Sequence, residues 1–227
     1  DLGPVHWYLG MEISRDRTLG TLQISQTQYI KDVLAKFNMS DCHPRSSPLP
    51  TGLQLPKATT RVTDFPYREL VGSLLYAAKA TRPDIVHAVG LLTRHLIAPT
   101  NVHVHAAKNV LRYLQGTLNH HLCYSSTAPL VGWADSDWAG DAVTRKSTSG
   151  FVLMLNGGPV AFGSTLQRTV ALSSAAAEYM SACTCIERIV FIRQLLAFFN
   201  QAPDHATPVM EDNTSCIKIA TNPVATK

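Results

Sequence analysis

Leu130-Val-Gly-Trp-Ala-Asp-Ser-Asp-Trp-Ala-Gly-Asp141 opens as an apolar run and closes on three aspartates. A short apolar run bounded by polar residues reads as a strand. Asp135 follows Leu130 to Ala134 and so stands at that strand's end, near the edge of a core. Asp212 follows Pro208-Val-Met210 in the same way. A third acid, Glu178, falls on a long helical stretch that begins near Ser174, a good N-cap, and runs to about Phe199. It lies four residues before Ala182, which leads a stripe of Ile186, Ile189 and Leu196. That spacing puts Glu178 on the first turns of the face that packs on the sheet. An ionised carboxylate there is costly unless it is paired or holds a metal.

Working outward, Leu122-Cys-Tyr124, Phe151-Val-Leu-Met-Leu155 and Pro159-Val-Ala-Phe162 are further brief apolar runs, with Asn156-Gly157-Gly158 as a turn between the last two. A short helix from about Thr214 ends the chain. The order predicts an α/β unit, with a mixed sheet of three antiparallel strands and one strand parallel to the first, covered by the long helix. Upstream, Trp7 to Ser14 reads as one strand and Thr21 to Ile24 as its partner, followed by a helix over Gln26–Phe37. Between Asp41 and Phe65, Pro44, Pro48, Pro50 and Pro56 mark a linker or extended wrap. Three helices follow, over Tyr67–Lys79, Pro83–Leu96 and Val102–Gln115. The expected division is 1–128, a β-hairpin plus helices, and 129–227, the α/β part.

Composition bounds the function. Hydrophobic residues at 45% and charged residues at 16% describe a folded globular chain rather than a disordered or fibrous one. No apolar run is long enough for a membrane span, and the beginning at Asp1-Leu2 has no signal-peptide pattern. Five cysteines, scattered and odd in number, predict reduced thiols in an intracellular compartment rather than a disulfide framework or a zinc knuckle. Up to Ala128 there are 13 Lys and Arg against 8 Asp and Glu, and after it 7 against 8. The excess positive charge therefore lies in the first part, which suits a polyanion such as nucleic acid. Such a bias is also ordinary among protein surfaces.

Two strand-end acids and one helix acid facing one sheet can converge on a single spot, and a cluster of that kind repels itself unless divalent cations occupy it. Spacing alone favours the plainer reading, with Asp135 and Asp212 as turn or cap residues and Glu178 as an early-helix acid stabilised by the helix dipole. Lys108 and Arg112, four apart on one helix face, are either a solvated pair or a phosphate contact. Arg145, Lys146 and Ser147 are the corresponding phosphate candidates in the second part. His103 and His105 diverge on a helix, and His120-His121 sits in a turn, with no carboxylate fixed beside them, so they make a poor metal site.

The words around the acids shift the balance. Trp133-Ala-Asp-Ser-Asp-Trp-Ala-Gly-Asp141, Arg145-Lys-Ser-Thr-Ser-Gly-Phe-Val152, Thr169-Val-Ala-Leu-Ser-Ser174, Ala177-Glu-Tyr-Met180 and Glu211-Asp-Asn213 stand in the order of copia-type retrotransposon ribonuclease H domains. Upstream, Tyr8-Leu-Gly-Met-Glu12, Tyr67-Arg-Glu-Leu-Val-Gly-Ser-Leu-Leu-Tyr76, Thr81-Arg-Pro-Asp-Ile85 and Ala107-Lys-Asn-Val-Leu-Arg-Tyr-Leu-Gln-Gly116 resemble the reverse transcriptase tail of the same polyprotein. The resemblance covers almost the whole chain.

It implies a ribonuclease H-like fold and a nuclease that cuts the RNA strand of an RNA–DNA hybrid with two Mg²⁺, for which Mn²⁺ can substitute. Asp135, Glu178 and Asp212 match the first three metal-binding carboxylates, Asp135 being shared by both ions, with Asp137 and Asp141 secondary. The implied partners are the hybrid and the rest of the reverse transcriptase polyprotein, in a cytoplasmic particle or the nucleus, with no membrane. Ala175-Ala176 replaces a usual Thr-Glu pair. The family continues past the position of Lys227 through a strand and a helix with a fourth metal-binding Asp, so a C-terminally truncated nuclease domain is expected. No Tyr-x-Asp-Asp occurs, so this chain does not carry the polymerase's paired aspartates. The competing expectation is a non-catalytic element fragment with weak nucleic-acid binding. An integrase fits badly, because its helix Glu comes last in chain order.

Overall fold

In the computed structural model, which describes residues 3–125 and 127–222, the first expected strand is broken in two. Leu9 and Gly10 both take positive φ, 48° and 70°, and close a two-residue turn between β1 (Trp7–Tyr8) and β2 (Met11–Asp16). β3 (Thr21–Ser25) pairs antiparallel with β2. Four helical segments follow the apolar spacing closely: α1 (Thr27–Lys36), α2 (Tyr67–Ala80), α3 (Val86–Thr93) and α4 (Asn101–Gly116), with a single 3₁₀ turn at Pro83–Ile85 leading into α3. Ile30 and Leu34, Leu70 and Leu74, Val89 and Leu92, and Val110, Leu111 and Leu114 meet in one core. The Pro-rich stretch lies against it through Cys42, Leu49, Leu53, Leu55 and Phe65, which makes it a wrap rather than a free linker. β4 (Leu122–Tyr124) joins β3 at the edge of this first sheet instead of the later one.

Arg82, a charged side chain, is buried almost completely in this core, at 1% exposure. Its guanidinium donates to both Asp84 carboxylate oxygens, to the Thr117 carbonyl and to the Thr117 hydroxyl. Burial alone would raise the Asp84 carboxyl, but Arg82 and the Tyr113 hydroxyl hold it below its ordinary value. Every side of this buried charge is met, as a buried ion requires.

The chain divides into two compact units, Asp1–Cys123 and Tyr124–Lys227, a few residues before the boundary expected after Ala128. The second holds β5 (Val131–Asp137), β6 (Thr148–Leu155), β7 (Gly158–Leu166), α5 (Ser174–Phe198), β8 (Val209–Met210) and α6 (Thr214–Thr221). Residues 223–227, at the far end of the expected second part, lie outside the described residues. The sheet order is β7-β6-β5-β8, with β5–β6 and β6–β7 antiparallel and β5–β8 parallel. This is an α/β unit with the mixed sheet that the element order predicts. Asn156 and Gly157, both at positive φ, form the β6–β7 turn. Ser173 rather than Ser174 caps α5, its hydroxyl accepting from the Ala176 N–H at 3.1 Å. Among the described residues no helix is long and apolar enough to cross a membrane.

α5 packs on β5 and β6 through Cys185 and Ile189, against Leu130, Ala134 and Leu153. Of the expected stripe, Ile189 is buried and Ala182 packs on the same cluster, but Ile186 is exposed and Cys185 takes the inward place. The helix comes close at Gly132, where an added Cβ would stand 2.8 Å from Cys185 Sγ and 3.0 Å from Ile189 Cδ1 of α5, and 3.1 Å from Leu153 Cδ2 of β6. Gly132→Ala should therefore overpack this contact and cost about 1–3 kcal/mol. The check is the urea midpoint of the second unit's transition; an unchanged midpoint would mean that the helix does not sit this close.

Candidate functional site

β5 is longer than its apolar run. Pairing of Asp135 with Gly150, Ser136 with Ser149 and Asp137 with Thr148 carries the strand through all three polar residues, so Asp135 lies within the strand and not at its end. β5 is also central, with β6 on one side and β8 on the other. Gly132 and Ala134 are buried while Trp133 and Asp135 are exposed, the period-2 alternation of a strand covered on one face.

Glu178 sits on the second turn of α5 at 7% exposure. Ala177, Ser181, Cys185 and Ile189 share its buried face. Two contacts fix that turn. The Ser181 hydroxyl, itself fully buried, lies 2.7 Å from the Asp135 carbonyl and 3.0 Å from the Gly150 carbonyl, to which it donates. Gln167 Nε2 donates to Ser149 Oγ at 2.9 Å and to the Ala177 carbonyl at 3.0 Å. Both residues went unnoticed in the sequence, because a polar residue inside an apolar pattern carries no mark of its partner.

The Glu178 carboxyl is pushed up to about 7. Burial is the largest cause, and the charges of Glu211, Asp135 and Asp212 add to it. Ser136, close by without closing a hydrogen bond, pulls the other way. Glu178 Oε2 is buried with no partner, and so is Glu211 Oε2. Asp212 is exposed just past β8, and Asn213 caps α6 by accepting from the Cys216 N–H at 2.9 Å. The three predicted acids thus share one electrostatic neighbourhood, with Glu211 as an unpredicted fourth. As their side chains stand, no three His, Cys, Asp or Glu among the described residues form a group that could hold a metal. The donor set is nevertheless the kind that suits a hard cation: carboxylates only, two buried oxygens unsatisfied, and no Lys or Arg ion pair to any of them among the described residues.

The other candidates have separate surroundings. The Asp137 carboxylate lies against Gly140, where a Cβ would meet Oδ2. Asp141 Oδ1 accepts from the N–H groups of Val143 and Thr144 and from the Thr144 hydroxyl, bracing the loop. Ser147 is a correction to the phosphate candidates: it is fully buried, and its hydroxyl accepts from the Ala139 N–H at 3.0 Å, so it cannot face a ligand. Arg145 is exposed, at a positive φ of 57°, and Lys146 is half-buried beside it. In the first unit, Lys108 lies 5.0 Å from the Phe65 ring centre and Arg112 donates to Asn109, so both are half-buried and engaged. His103 is structural. Its Nδ1 accepts from the Thr100 N–H at 2.9 Å, Nε2 lies 3.0 Å from the Pro56 carbonyl, and burial lowers its pKa.

The chain is similar to known proteins along most of its length. Over 205 residues, 86% of the chain, it is 42% identical to the retrovirus-related Pol polyprotein from transposon TNT 1-94 of Nicotiana tabacum. Over 224 residues, 97% of the chain, it is 37% identical to the retrovirus-related Pol polyprotein from transposon RE1 of Arabidopsis thaliana. It spans 15% of the length of each of these. It is also 46% identical over 131 residues to the secreted RxLR effector protein 161 of Plasmopara viticola, covering 92% of that protein and 57% of this chain. No family model and no solved structure matches it.

Two outcomes follow for stability. With chelator present, folded Glu178 keeps its proton up to about pH 7, whereas the unfolded carboxyl loses it near 4.5. The stability this contributes is full below the unfolded value and is lost as pH rises through about 7. The wild-type chain should therefore lose at most about 3 kcal/mol between about pH 4.5 and about pH 8, while Glu178→Gln stays flat by comparison. Urea denaturation at both pH values decides it, equal slopes counting against the buried charge. Ser181→Ala removes the single hydroxyl proton shared between the Asp135 and Gly150 carbonyls and should cost about 1–2 kcal/mol, read from the same curves.

Proposed function

Because the chain belongs to the family of Pol polyproteins of copia-type retrotransposons, we propose that its second unit is that polyprotein's ribonuclease H. In this reading it hydrolyses the RNA strand of RNA–DNA hybrids, and the first unit is the tail of the reverse transcriptase. The observation that carries the nuclease reading is Glu178: a buried carboxylate with an unsatisfied oxygen, one helical turn from the Ser181 contact to Asp135, in the field of Asp212. The β7-β6-β5-β8 sheet with α5 on one face supports a ribonuclease H-like arrangement.

Asp135, Glu178 and Asp212 would hold two Mg²⁺, or Mn²⁺ in their place. Bound there, the cations would supply a hydroxide nucleophile near neutral pH and neutralise the leaving oxygen of the phosphodiester. The chain's own residues do the positioning. β5 presents Asp135 from the middle of the sheet, and Ser181 ties its carbonyl to the helix that carries Glu178. Glu178 would have to give up its proton to hold a cation, so cation binding would strengthen as pH rises toward about 7. As they stand the acids do not close around a cation, so exposed Asp135 and Asp212 would have to turn toward one to hold it. Arg145 and Lys146 supply phosphate contacts on the hybrid, which makes binding weaken with salt.

A second reading, a non-catalytic piece with weak nucleic-acid binding, is favoured by that open arrangement of acids. Gel cleavage of a labelled RNA–DNA hybrid by the full chain with Mg²⁺ or Mn²⁺ separates the two. Wild type should nick the RNA strand, Asp135→Asn should abolish nicking, and Asp137→Asn should leave most of it. Equal cutting by wild type and Asp135→Asn would put the activity elsewhere. No cutting by the folded wild type would favour the second reading.

A further inference from the structure

Glu211 opens the Glu211-Asp-Asn213 motif, but the resemblance assigns the metal-binding role there to Asp212 and none to Glu211. It follows β8 by one residue and continues that strand's alternation. Val209, two residues earlier, packs into the core with Cys185 and Ile189 of α5. Glu211 takes the same inward side and is half-buried, while Met210 and Asp212 are exposed. Its carboxylate is held from one end: Oε1 accepts from the Asn213 N–H at 3.0 Å, and Asn213 is itself fixed as the α6 cap. Oε2 is left buried with no partner. Glu178, on α5, is more than nine-tenths buried, and its Oε2 is likewise unpartnered. β8 packs on α5 through Val209, and among the charges that raise the Glu178 carboxyl that of Glu211 is the largest. Among the described residues no ion pair neutralises either glutamate; Lys36–Glu69 and Arg82–Asp84 both lie in the first unit.

We propose that Glu211 is a further cation ligand, holding one divalent ion jointly with Glu178 beside Asp135 and Asp212. The proposal rests on the cation reading of Glu178 given above. Two carboxylate oxygens removed from water in one electrostatic neighbourhood, each without a partner, call for a positive one. Oxygen donors in a pair select a hard divalent ion such as Mn²⁺ or Mg²⁺. The Asn213 contact orients Glu211 before the ion arrives, whereas Asp212, exposed, must be drawn in. Glu211 is thus the pre-set half of the β8 contribution.

The experiment is Mn²⁺ binding to the full chain near pH 7.5, followed by the electron paramagnetic resonance signal of free Mn²⁺, with no nucleic acid present. Glu211→Gln should weaken binding by on the order of tenfold or more. Glu211→Asp, which keeps the charge, should recover part of it. Each variant's urea midpoint in chelator is measured beside it, because a merely structural Glu211 would move that midpoint and leave the Mn²⁺ affinity alone. If Glu178→Gln loses Mn²⁺ binding while Glu211→Gln matches wild type, the Glu211 assignment is overturned and the cation reading stands. The glutamates would then share a proton, not an ion. If neither variant changes binding, the cation reading of the site falls as well.

Discussion

The approach of α5 to β5 at Gly132 is what the second unit depends on. Only a residue without a side chain lets Cys185 and Ile189 come this near the strand. That closeness brings the preceding turns of the helix onto the sheet, where the Ser181 hydroxyl reaches two strand carbonyls at once. Glu178 lies one turn further toward the N-terminus and is carried down with them. A helix standing farther off would leave the acid in water, with an ordinary carboxyl. Close helix–sheet packing is therefore the cause of its raised proton affinity, and repulsion from its neighbours adds to it.

The two units treat buried charge in opposite ways. Arg82 has Asp84, Thr117 and Tyr113 arranged around it, and that network reads as scaffolding because nothing in it is left to bind. Glu178 and Glu211 each keep a buried oxygen with no partner. Stability alone gives no reason to retain two such groups side by side, since replacing a buried charge with an apolar residue is often neutral or favourable. An unsatisfied charge that the fold takes trouble to position is a mark of binding.

The acid-rich stretch shows how neighbouring residues of one kind are sorted by their surroundings. Asp135, Asp137 and Asp141 lie within seven positions, yet only Asp135 acts on Glu178. Asp137 rests on Gly140, and Asp141 accepts three hydrogen bonds within its own loop. Ser147, inside a basic motif that invites a phosphate, is turned inward to hold Ala139.

Local order was legible from the sequence by itself. The helix expected over Tyr67–Lys79, the long helix from near Ser174 to about Phe199, the Asn156-Gly157 turn and the mixed sheet all follow from periodicity and turn chemistry, which act between near neighbours. Asp135, Glu178 and Asp212 were legible as candidates because motif words surround them. Tertiary structure alone decided the rest. The break at Leu9-Gly10, the extension of β5 through Asp137, and the transfer of β4 to the first sheet depend on pairing with distant strands. Glu211 emerged only when β8 was laid beside β5 and under α5, because whether a carboxylate is solvated or stranded depends on which parts of the chain close over it.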